Sequence, residues 1–160
     1  MRTRIVVWIV AIVLAVLHFL LHVGLGIGNA APDLLTVALL LAVREVGVGT
    51  AAGLGLLFGM LEDALSVVAF GANTIAMTLL GVAGAATRDV FVGDSLLFLI
   101  SYFVLGKFAR VFVHWIVVGS ALREPFLSQV LVGGLLGGLY AAVVGILLMA
   151  ITGLWRESPR

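Results

Sequence analysis

The chain contains no cysteine, and only 11% of its 160 residues are charged. Without cysteine there is no disulfide scaffold and no thiolate metal site. With a formal charge of +1 there is no basic face of the kind that nucleic-acid binders present, and the low charge excludes disorder. What is abundant is apolar. Hydrophobic residues make up 63%, and 20 glycines bring the non-polar share to roughly three quarters, against about 45 to 50% in soluble domains. The fold class expected is therefore an all-α integral membrane protein. At about 20 residues per span, the chain has length for six or seven crossings at most. Residues 1–160 are expected to form one transmembrane domain with no extramembrane domain.

Because an ionised side chain at the bilayer centre costs about 2.5 to 3.5 kcal/mol on insertion scales, loops belong where charges cluster. Ile5 to Pro32 carries no charge. It is longer than the apolar core of a signal peptide and is followed by further spans, so it reads as a first helix, Ile5 to Leu25. Gly24, Gly26 and Gly28, then Asn29 and Pro32, end it, and Asp33 is placed to cap the next helix. Leu34 to Val43 is short, and Arg44 and Glu45 follow. Either a tight turn separates two spans here, or one long helix buries both charges.

The positive-inside rule decides. Six spans put Arg2, Arg4, Arg44, Arg88, Arg156 and Arg160 inside and only Arg123 outside, whereas five spans take Arg44 into a helix and divide the other six three against three. Six is the expectation, with both termini cytoplasmic. The later helices are then Val46 to Leu61, Asn73 to Val90, Ser95 to Val118 and Phe126 to Leu154. Trp8 and Trp155 fall at the inner interface and Trp115 at the outer, where indoles prefer to sit. The short second helix requires that Gly24 to Asp33 dips into the protein or that Arg44 snorkels.

Helices in lipid associate closely where small residues let their backbones approach. The third helix has Gly49 with Gly53 and Gly55 with Gly59; the sixth has Gly133 with Gly137 and Gly134 with Gly138, then Ala142 and Gly145. These two helices are the expected packing centre. Their glycine faces serve either packing within the chain or a groove for a partner's transmembrane helix.

Lys107, Arg110 and His114 share one face of the fifth helix, at membrane depth. Such groups are functional candidates by default. Glu62 and Asp63 are the acids expected to meet Lys107 and Arg110, with Asp33 at the same level. The alternatives are an ion-pair network that sets helix register, or docking of an anionic ligand or a partner's acidic side chain. His18 and His22 have a spacing that can hold a metal, but no third ligand, cysteine or HExxH accompanies them. No serine stands in a triad context and no phosphate loop is present, so neither catalysis nor a cofactor is expected.

Pro32-Asp33-Leu34-Leu35, then Arg44, the glycine-rich Gly49 to Gly59, Leu61-Glu62-Asp63 and Phe70-Gly71-Ala72-Asn73 together resemble the bacterial rod shape-determining MreD family. Phe70 stands where that family often has Leu. The resemblance implies a non-enzymatic scaffold subunit of the cell-elongation complex in the inner membrane. Such a subunit binds MreC and, with it, couples MreB filaments to peptidoglycan synthesis by the glycosyltransferase RodA and a class B penicillin-binding protein. It also implies a fold similar to the six-helix substrate-binding subunits of energy-coupling-factor transporters. That similarity supplies an alternative, a small-molecule-binding subunit closed by the Ala64 to Ala72 loop. A third is an ion or proton carrier using Lys107 with Glu62 or Asp63. The outer loops are short and apolar, with Asn29, Asn73 and Arg123 as the main polar groups, which favours the scaffold.

Overall fold

In a computed structural model, residues 2–24, 33–66, 69–87 and 95–154 are described. Among them the chain is helical, with no strand. Helix α1 (Arg2–Phe19) continues into a π-helical turn, Leu20–Gly24. Then come α2 (Leu34–Val43), α3 (Val48–Asp63), α4 (Ala72–Thr87) and α5 (Leu96–Val117). A second π-helical stretch, Leu127–Gly133, leads into α6 (Gly134–Thr152), which Gly153 ends in the left-handed conformation at φ 77°. Three segments, Ile5–His22, Leu96–Val117 and Leu127–Thr152, are long and apolar enough to cross a membrane. The expected ends at Leu25 and Val90 lie outside the described residues, as do Gly26, Gly28, Asn29, Pro32, Arg88, Trp155, Arg156 and Arg160.

The centre of the molecule is α2. All ten of its residues are buried, and it touches each of the other five helices. Sequence explains this: Leu34–Val43 offers one threonine among nine apolar residues, so no face is suited to water and every face can pack on protein. At about 15 Å, α2 is too short to cross a bilayer core of about 30 Å. Its ends are satisfied inside the protein instead. Asp33 caps the first turn by accepting from the Thr36 N–H at 3.0 Å, and near the other end the Tyr102 hydroxyl donates to the Leu40 carbonyl at 2.8 Å.

The expectation that the third and sixth helices are the packing centre is corrected, since that place belongs to α2. α3 packs on α4, and α6 packs on α5. Gly55 and Gly59 lie directly on the α4 backbone at Met77 and Thr74, and Gly81 of α4 returns the contact at the Ala51 carbonyl. Gly134 lies against the Phe108 ring, Gly138 meets the Val104 backbone, and Gly145 receives the Phe103 ring. Gly137 faces the Lys107 stem, while Gly133 has only the Ser128 carbonyl nearby. A small-residue face permits close approach without choosing its partner, and helices joined by short connections meet first. Gly49 and Gly53 are exposed and open, with nothing within 4 Å of a side chain placed there.

Helix direction alternates. The C-terminal parts of α1, α3 and α5 and the N-terminal ends of α2, α4 and α6 share one end of the bundle, where the polar side chains gather.

Candidate functional site: a buried charge cluster beneath a polar cavity

Arg110 organises this end. It lies about two thirds of the way along α5, some 10 Å short of Val117, and is buried. Its guanidinium presents a planar fork of donors, which three other helices fill. Nη1 donates to the Asp33 carboxylate and to the Thr36 hydroxyl at 2.8 Å, both at the start of α2. Nη2 donates to the Glu62 carboxylate at the end of α3 and to Asn73 Oδ1 at the start of α4, at 3.1 Å. One turn earlier, Lys107 pairs with Asp33. Two cations and two carboxylates thus form a charge-balanced cluster held by four helices.

Asp33 carries several duties. Oδ1 caps α2, while Oδ2 accepts from the Thr36 hydroxyl at 2.6 Å and from both cations. The Asp-x-x-Thr spacing explains the first pair, because a capping residue faces the residue three positions on. The positive end of α2 then adds to the field that holds the carboxylate.

Asp63 does not pair with Lys107 or Arg110, which corrects the expectation for that residue. Successive helix residues point about 100° apart, so the face that turns Glu62 to α5 turns its neighbour elsewhere. Asp63 is fully buried against the start of α4. It accepts from the Gly71, Asn73 and Thr74 N–H groups at 2.9, 3.1 and 2.9 Å, and from the Thr74 hydroxyl at 2.6 Å. It satisfies the orphan donors of a helix N-terminus from another helix. Gly71, at φ 94°, makes the turn that aims those donors.

Above the cluster is a cavity of about 390 Å³. Asp33, Glu62, Asn73, Lys107 and Arg110 form its floor. His18 and His22 line one wall, their rings stacked at 4.2 Å, and His114, Glu124 and Gln129 line the other. The described residues hold no group of three His, Cys, Asp or Glu able to share a metal ion. At the same end, Trp115 donates to the Glu124 carbonyl at 3.0 Å and Arg123 lies over its ring, tying the α5–α6 connection to α5.

Of the groups singled out from sequence, the structure brings Glu62, Lys107 and Arg110 into one cluster, with Asp33 as the shared partner of both cations. Asp63 bonds to the Asn73 backbone but to neither cation, Gly59 abuts that backbone, Gly133 lines the cavity above, Gly137 borders the cluster through the Lys107 stem, and the glycines at 49, 53, 55, 134 and 138 lie apart from it. Thr36 was not anticipated, although its spacing from Asp33 is a readable sign. Compared with protein-family models, curated proteins and solved structures, the chain matches none.

Proposed function

We propose that this chain is a non-enzymatic, six-span scaffold subunit of the bacterial inner membrane, of the MreD type, with both termini cytoplasmic. It binds the transmembrane helix of MreC and, with it, couples MreB filaments to the wall synthases. One observation carries this reading: Asp33, Glu62, Asp63 and Asn73, widely spaced members of the sequence pattern that resembles that family, converge at one end of the bundle. There they build a brace that fixes four helices. The cluster balances its own charge and ties four helices together, which supports a role in rigidity.

The partner surface is Gly49 and Gly53 on α3. Gly55 and Gly59 are occupied by α4, and Gly134, Gly137 and Gly138 by α5; Gly133 is exposed beside the Ser128 carbonyl, and of the four pairs Gly49 with Gly53 has both members open. Helices in lipid associate where such faces let backbones approach. Replacing both by leucine is expected to reduce co-purification of MreC with the folded protein at least tenfold. Undiminished complex with both replaced would show that association uses another surface, and absence of MreC from wild-type preparations would remove the reading itself.

A second reading, a small-molecule-binding subunit of an energy-coupling-factor type transporter, is favoured by the polar cavity. Co-purification of ATPase subunits in place of MreC would select it.

A further inference from the structure

We propose that the cavity above the charge cluster is a binding site for a small molecule of zero net charge that both donates and accepts hydrogen bonds, a zwitterion of amino-acid size or a polyol. This is independent of the scaffold reading and names the ligand class that the second reading leaves open.

The volume fits such a guest. About 390 Å³ falls within the usual range for ligand pockets, about 300 to 1,000 Å³, and corresponds to roughly a dozen waters at about 30 Å³ each.

The lining has unused capacity. Among the described residues, the His114 ring and the Gln129 amide make no side-chain hydrogen bond, and one Glu62 carboxylate oxygen accepts none. The Lys107 ammonium has three donors, of which one is engaged by Asp33. Donors and acceptors therefore face the same space, as a guest carrying both requires.

The backbone points to the same place. The two π-helical stretches among the described residues, Leu20–Gly24 and Leu127–Gly133, both border this cavity, the first through His22 and the second through Gln129 and Gly133. Such turns are rare and are frequently found at functional sites. Their side chains reach the cavity from the end of α1 and from the entry to α6.

Charge sets the class. The floor already balances an ammonium and a guanidinium against two carboxylates, and a guest with net charge would leave an uncompensated ion at low dielectric. Glu124, at the rim, is exposed, and its charge is screened by water.

The test uses the full chain in lipid nanodiscs. Thermal unfolding is followed with glycine and with glucose, and with inorganic phosphate and spermidine as charged probes. Native mass spectrometry is run in parallel on protein extracted from native membranes. A saturable rise in Tm with glycine or glucose, or a retained neutral adduct, supports the site, and the two arms separate zwitterion from polyol. Gln129→Leu should weaken that binding at least tenfold; should Gln129→Leu fail to fold, Gln129→Asn, which keeps the amide but shortens its reach, should weaken it measurably. Stabilisation by phosphate or spermidine instead, no response to any probe together with an adduct-free mass, or glycine or glucose binding indifferent to Gln129, would each overturn the proposal.

Discussion

Asp33 and Arg110 stand 77 positions apart, yet their side chains form one ion pair between the start of α2 and the C-terminal half of α5. The same carboxylate caps its own helix and accepts from Lys107, so a single aspartate joins the buried centre of the bundle to its longest described α-helix.

Arg110→Met should therefore be the most damaging single change in the cluster. It leaves Asp33 and Glu62 facing a methyl group, and breaking one side of a buried ion pair costs about 3–5 kcal/mol. Arg110→Lys keeps the charge but cannot fill acceptors on three helices, so its loss should be smaller yet clear. Thermal unfolding in detergent orders the three proteins as wild type, lysine variant, methionine variant.

Glu62 and Asp63 are sequence neighbours with separate duties, and a double-mutant cycle should tell them apart. Glu62→Gln combined with Arg110→Met should show coupling of about 0.5–3 kcal/mol, because the two touch. Asp63→Asn should cost about 1–3 kcal/mol on its own, through the lost N-terminal donors of α4, and add to Lys107→Met within about 0.5 kcal/mol. Strong Asp63–Lys107 coupling would contradict the arrangement.

Glycine replacements should divide by position. Alanine at Gly55, Gly59 or Gly81 places a methyl group on the opposing backbone of α3 or α4, where no side chain can yield. Losses of about 1–3 kcal/mol or more are expected in detergent unfolding. Alanine at Gly49 or Gly53 meets nothing and, by removing backbone freedom from the unfolded chain, should leave stability unchanged or raise it by up to about 1 kcal/mol.

The proposed six-span topology makes a prediction that the missing cysteines render clean. Single cysteines at Arg44 and Arg88 should be protected from an impermeant reagent added outside intact cells, and cysteines at Ala64 and Arg123 should react. Labelling at Arg88 from outside would break the positive-inside assignment on which the orientation stands.

Helix placement was readable because charged residues mark where apolar runs stop: Arg44 and Glu45 bound α2, and Glu62 and Asp63 close α3. The cationic face of α5 was readable too, since Lys107 and Arg110 are three residues apart. Which acids meet them was not. Depth alone admits Asp33, Glu62 and Asp63 together, and only the azimuth of each side chain on its helix separates them. The central position of α2 left a sign in its uniformly apolar surface: enclosed by protein, a ten-residue helix carries the chain between the two ends of the bundle without matching the bilayer's thickness by its own length. Glycine pairing carries no address, so the choice of α4 for α3 and of α5 for α6 came from chain connection. The cavity had no sequence signature, because its walls come from residues as distant as His22 and Gln129.

The placement of the cluster's charges imposes an order on assembly in the membrane. Asp33 and Glu62 are synthesised before Lys107 and Arg110, so while α5 is still in the ribosome the first four helices carry two acids that lack their cations. A ten-residue helix beginning at one of those acids has no stable place in lipid by itself. Stable burial of α2 with its acid ionised is therefore expected only once α5 has brought the counter-charges, and a chain cut short before Lys107 should leave both acids without the cations that hold them.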